Sequence, residues 1–249
     1  MFAIYKKELR SYFINAIGFV YVGVFLATAA ILLCYTTLVQ GSYNTDSYFN
    51  LLIFSFIILI PLLTMKLFAE EKKLKTEQLL LTAPVTIWEM VLGKFFAAFT
   101  IFAGSLLTSC IYFFPLYSYA AQEKAALGYQ SSIPLGPSTP RIIGCIIGVL
   151  LIGAAFIAVG IFVSSLTENQ LAAAVITVAI IMVMLLMFLL NQYIDVYAIR
   201  FIIEWFCVFS RFSNFANGFI DFASLIYYIS ITGIFLLLTV RVYDKRRWG

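Results

Sequence analysis

Residues 141–165 read RIIGCIIGVLLIGAAFIAVGIFVSS, a run whose one ionisable side chain besides cysteine is the arginine at its edge. An α-helix needs roughly 20 such residues to cross about 30 Å of hydrocarbon. Working outward, comparable runs occupy Ala16–Val39, Tyr48–Phe68, Ile87–Phe114, Glu168–Leu190 and Phe222–Val240, which with Arg141–Ser165 make six. The 249 residues are 63% hydrophobic and 11% charged, with mean hydropathy +1.01. A soluble domain carries about 25% charged residues, so a soluble core is excluded. Lipid offers no partner to a free backbone amide, and helices satisfy all of theirs internally. The expected fold is an all-α polytopic membrane protein with six transmembrane helices. Residues 1–15 form a separate amphipathic helix and 16–249 the membrane domain.

The boundaries have chemical reasons. Gln40–Asp46 is polar and turns the chain, and Pro115 with SSIPLGPSTP (Ser131–Pro140) brackets a longer loop. Thr86-x-x-Glu89 opens the third span as a capping box, with Val85 and Met90 placed to staple it; Thr167-x-x-Gln170 opens the fifth. Val196–Phe209 is too short to span and carries Arg200 and Glu204 at i,i+4, so it reads as an interfacial or re-entrant segment. Twelve of the 16 Lys and Arg residues fall at the two termini, in the loop after span 2 and at the start of span 3. Such residues stay on the cytoplasmic side, so both termini are expected there. The basic, periodic first residues predict no cleaved signal peptide. Cys34, Cys110, Cys145 and Cys207 lie in apolar segments and read as small buried hydrophobes.

Two segments are not simply lipid-soluble. Over residues 2–16, Phe2, Tyr5, Leu9, Tyr12, Phe13 and Ala16 share one helical arc, opposite Lys7, Arg10 and Ser11 with Lys6 at the edge. That pattern lies in the headgroup plane, either anchoring span 1 or transmitting motion. The loop FAEEKKLKTEQLLLTAPVTIWEMVLGK, Phe68–Lys94, predicts a short charged helix from Glu70 to Thr82. Glu71 with Lys75 and Lys73 with Glu77 support it at i,i+4, and Pro84 ends it. Leu74, Gln78 and Leu81 form one side, a ridge for a partner's groove or the apolar side of a solvated connector.

The block EEKKLKTEQLLLTAPVTIWEMVLGK resembles the signature of ABC-2 type permeases: paired acids, Thr-x-Glu-x-Leu-Leu, a proline, and Gly-Lys entering the third span. Matching residues are Glu70, Glu71, Thr76, Glu77, Leu79, Leu80, Pro84, Gly93 and Lys94. SSLTENQLAAA (Ser164–Ala174) and RFSNFANGFID (Arg211–Asp221) resemble that family's turn between helices four and five and its segment before the last helix. The likeness is greatest to the small six-helix permeases grouped with gliding-motility systems. It implies that the loop after span 2 is a coupling helix seated in a cleft of an ABC ATPase subunit, with Leu74, Gln78, Leu81 and the matching loop residues at the contact. It also implies a second permease copy, identical or not, with spans 1 and 5 facing across the pathway, in a bacterial cell membrane. Lys6, Lys7, Arg10 and Lys94 would line the inner interface. Arg211, Phe212, Phe215, Gly218 and Asp221 would form the outer segment, Asp221 capping the last span, with an extracytoplasmic accessory subunit as a further candidate partner.

The residues agree with a transport subunit that is not itself catalytic. The chain has no histidine and no Gly-x-x-x-x-Gly-Lys-Ser/Thr, so histidine-based intramembrane hydrolysis is excluded and nucleotide binding falls to a separate subunit, which would hold ATP and Mg. No carboxylate sits mid-span as a proton relay. Arg141, Glu168 and Lys94 read as snorkelling groups at span ends. Gly144-x-x-x-Gly148, Gly153, Gly160 and Ala172–Ala174 permit close helix approach, between copies or within one chain. Pro61 is a candidate kink in span 2. The expected partners are ATPase, second copy and lipid, with no nucleic acid. The rival reading is a non-transporting membrane anchor of an ATPase-coupled assembly.

Overall fold

The computed structural model describes residues 1–39, 45–76, 85–127, 138–191, 207–218 and 221–248. Every regular element among them is helical. Six are long and apolar enough to cross a membrane: Ile17–Thr37, Asp46–Lys73, Ile87–Ala120, Thr139–Leu166, Gln170–Phe188 and Phe222–Arg247, numbered here as spans 1 to 6. Before them lies an N-terminal helix, Phe2–Ile14. The continuous helix of the second, Asp46–Thr64, is what span 2 denotes from here; short helices follow at Ala69–Lys73, the elbow after it, and at Phe212–Ala216 before span 6.

Span 4 is the hub. It packs against spans 2, 3, 5 and 6 and against Phe212–Ala216, and two-thirds of its apolar window is buried. Spans 1, 5 and 6 leave most of their surface uncovered. The ring of Phe68, just after span 2, lies 4.8 Å from that of Tyr243 near the end of span 6. Both therefore sit at one end of the bundle, together with most of the lysines and arginines; we call this the basic end.

Several boundaries differ from expectation. Pro115 does not start a loop. The helix of span 3 tightens into a 3-10 turn at Cys110–Tyr112 and resumes as Phe113–Leu127. Pro115 thus falls in the first turn of a restarted helix, where its missing N–H costs no ladder bond. The Thr86–Glu89 capping box is present in both directions, at 3.3 Å each way. Span 5 is opened by another residue: Asn169 Oδ1 accepts the Leu171 N–H at 3.0 Å, while Thr167 Oγ1 donates back to Val163 O. Thr167 is the C-cap of span 4, so its hydroxyl serves the helix it closes. The helix of span 2 runs through Pro61 and ends one turn later at Thr64.

Gly144 and Gly148 serve contacts within the chain. A Cβ on Gly144 would lie 2.5 Å from Phe215 O, and one on Gly148 would lie 3.0 Å from the Phe212 ring. The missing side chains form the notch that seats Phe212–Ala216. Cys145 and Cys207 are buried as expected, Cys110 half so, whereas Cys34 is exposed on the surface of span 1. Most of Val196–Phe209 and all of Gln40–Asn44 fall outside the described residues.

Candidate functional site

The expected helix from Glu70 to Thr82 is interrupted. The elbow helix spans Ala69–Lys73, and Lys75 takes a left-handed φ of +57°, which no helix interior accepts. Glu77, Gln78, Leu79, Leu80, Leu81 and Pro84 lie outside the described residues. The i,i+4 support expected from Glu71 and Lys75 is absent because Glu71 turns inward to stronger partners.

Those partners form a ring of alternating charge. Lys94 Nζ, on span 3, lies 2.9 Å from Glu71 Oε2 and 3.1 Å from Glu8 Oε1, and donates to Leu67 O at 2.6 Å. Lys7 Nζ closes the ring, 3.3 Å from Glu71 and 3.6 Å from Glu8. Lys94 is 0% exposed, so the expectation that it snorkels is wrong. Two of the ammonium's three donors go to Glu8 and Leu67 O, and Glu71 adds a second anion beside it. Its face also meets the Phe68 ring, 4.9 Å to the centroid. Lys7 is the open side of the ring, its side chain 58% exposed. Partial burial lowers its pKa, but attraction by Glu71 and Glu8 outweighs that, and the net shift is upward.

The elbow is bolted to span 4 as well. Ser164 Oγ accepts the N–H groups of Phe68 at 3.2 Å and Ala69 at 3.1 Å and donates to Met65 O at 3.3 Å. A serine from a distant helix thereby caps the first orphan amides of the elbow. Lys72 Nζ donates to Ser165 O, placing a cation at the carboxyl end of span 4, where the helix dipole favours it. The exposed Lys73, Leu74 and Thr76 are left facing outward, Leu74 at 63% exposure. Thr76 Oγ1 donates to Glu71 O, and Glu70 pairs with Lys66 at 3.9 Å.

The N-terminal helix docks here through a stripe different from its apolar arc. Ile4, Glu8 and Tyr12 are its buried residues, at i, i+4 and i+8. Tyr12 Oη donates to Leu63 O at 2.7 Å, in the last turn of span 2. Phe2 and Phe13 are exposed, as lipid-facing residues of an interfacial helix are, and Lys6 and Arg10 point away from the bundle. Gly93 lets the helix lie close, since a Cβ there would be 3.1 Å from Ile4 Cγ2. Glu8 was not singled out by its sequence. Its one local signal is the helical spacing that places it between Ile4 and Tyr12. Between the N-terminal helix and the elbow lies a cleft of about 590 Å³, floored by Glu8, Glu71 and Lys94 and rimmed by Lys7, Lys66 and Asn15.

At the far end, Phe212 and Phe215 are buried on span 4, and Gly218 adopts φ +80°, which glycine accepts without strain. Asp221 caps span 6: Oδ1 accepts from Ala223 N–H at 3.1 Å and Oδ2 from Ser224 Oγ at 2.7 Å. The Ser224 and Ala223 bonds hold its carboxyl below the usual aspartate range. Asn214 donates to the same carboxylate at 3.3 Å, and the Arg211 guanidinium lies over the Tyr227 ring at 4.3 Å.

No curated protein matches the chain. A family model described as ABC-2 family transporter protein matches residues 36–242, from the end of span 1 to the last turns of span 6. With six apolar helices and a stretch of match covering most of its length, this chain belongs to the ABC-2 transporter family, whose members are membrane components of ABC transporters.

Proposed function

We propose that the chain is the permease subunit of an ATP-driven exporter, working as a dimer with separate ATPase subunits that bind ATP and Mg. The basic end faces the cytoplasm in this reading, as its twelve Lys and Arg residues favour. The elbow is where the ATPase presses, through the exposed Lys73, Leu74 and Thr76 and the residues beyond them. The observation that carries the reading is how the elbow is fixed. Within a few residues it is bonded to span 4 through Ser164 and Lys72 and to span 3 through Lys94. It follows span 2 directly. A displacement applied at residues 73–76 has no slack to absorb it and is passed to the three spans that form the core. A solvated connector needs no such anchorage.

The test is reconstitution of the permease with its ATPase in vesicles. ATP hydrolysis accompanied by directional movement of a cargo supports the exporter; hydrolysis with no cargo moved in either direction marks a membrane anchor instead. Membership of the gliding-motility group is a finer proposal, tested by whether deletion abolishes surface movement.

A further inference from the structure

We propose that Glu8 is a positioning residue that, acting through Lys94, ties the N-terminal helix to the elbow so that the two move as one body. This rests on the ATPase-coupled reading above and adds to it the element that carries motion along the membrane surface.

The buried charge on Lys94 makes the link directional. A lysine with no exposed surface must be neutralised locally, and its two anions come from two different segments, Glu8 of the N-terminal helix and Glu71 of the elbow. Moving either segment away alone breaks one of the two ion pairs of a lysine that has no water to replace it. Moving both with span 3 does not. The helix is already held flush at this point by Ile4 over Gly93 and by Tyr12 on Leu63 O. An amphipathic helix that only anchored span 1 would turn a third apolar residue inward between Ile4 and Tyr12. It turns a glutamate inward instead, and that glutamate meets the ammonium that also holds the elbow.

The test leaves the elbow untouched. A nitroxide is placed on Ala3→Cys, an exposed position of the N-terminal helix, with the exposed Cys34 replaced by serine. The permease in lipid vesicles is then titrated with its ABC ATPase subunit and a non-hydrolysable ATP analogue. The variant is Lys7→Gln with Glu8→Gln, which removes both ionic ties from the helix side while Glu71 still neutralises Lys94. Label mobility changes on ATPase binding in the unaltered permease. In the variant that change is lost, while ATPase association, read by co-sedimentation, stays within about twofold, as for substitutions away from a contact. Failure of the ATPase to associate with the unaltered permease overturns the coupling reading itself. Association without a mobility change in the unaltered permease overturns this inference alone, as does a change that persists in the variant. Glu8→Asp with Lys7 restored regains the response.

Discussion

Replacing Lys94 by methionine nearly keeps the side-chain volume and removes the charge. The loss is worked from its three partners. Glu8 and Glu71 lose their closest cation and Leu67 O loses its donor. Removing one partner of a buried ion pair costs about 3–5 kcal/mol. Here the stranded carboxylates keep 11% and 15% exposure and retain Lys7 at 3.6 and 3.3 Å. The cost therefore falls at or just below the bottom of that range, about 2–3 kcal/mol. For a chain of this size 1 kcal/mol moves the midpoint by about 2–4 °C, so Lys94→Met should melt about 4–12 °C lower. The assay is thermal unfolding of the detergent-solubilised protein, followed by loss of the monodisperse peak. Lys73→Met, at an exposed neighbour, is the control and should move the midpoint by about 2 °C or less. A Lys94→Met midpoint equal to that of the control refutes the claim that Lys94 holds three segments together.

Ser164→Ala removes the acceptor shared by two buried amides and should cost about 1–3 kcal/mol in the same melt, with proteolytic nicking near the elbow rising before the spans unfold. Gly144→Val fills the notch under Phe215 O and should destabilise by about 1–3 kcal/mol, with Cys207, buried in the native fold, becoming reactive to maleimide. For Asp221 the folded carboxyl is depressed, so its stabilisation is full above the ordinary aspartate range and fades as pH falls through the folded value. Asp221→Asn should therefore lower the melting point at neutral pH and flatten its fall in acid, measured by melts between pH 7 and about pH 3.

The six spans were legible because a bilayer sets one length and one chemistry, and each run from Ala16 to Val240 meets both. The Thr86 cap was legible because its partner lies three residues away. Lys94 was misread because its burial depends on Glu8, 86 positions earlier, and on Glu71 across the loop. Seen alone, a lysine near the start of a span has headgroups within reach. The break at Lys75 was missed for the same reason: i,i+4 arithmetic gave Glu71 to Lys75, while Glu71 binds the buried ammonium instead. Gly144 and Gly148 signalled close approach correctly but not what approaches, since Phe212 and Phe215 arrive from a segment far along the chain. Glu8 carries no local mark beyond its place on the Ile4–Tyr12 stripe.

The direct test of force entering at the elbow is the reactivity of Lys73→Cys toward a membrane-impermeant maleimide, with and without the ATPase subunit. Reaction from the cytoplasmic side only, and protection when the ATPase binds, is the predicted result; reaction from outside intact cells, or reactivity unchanged by bound ATPase, contradicts it.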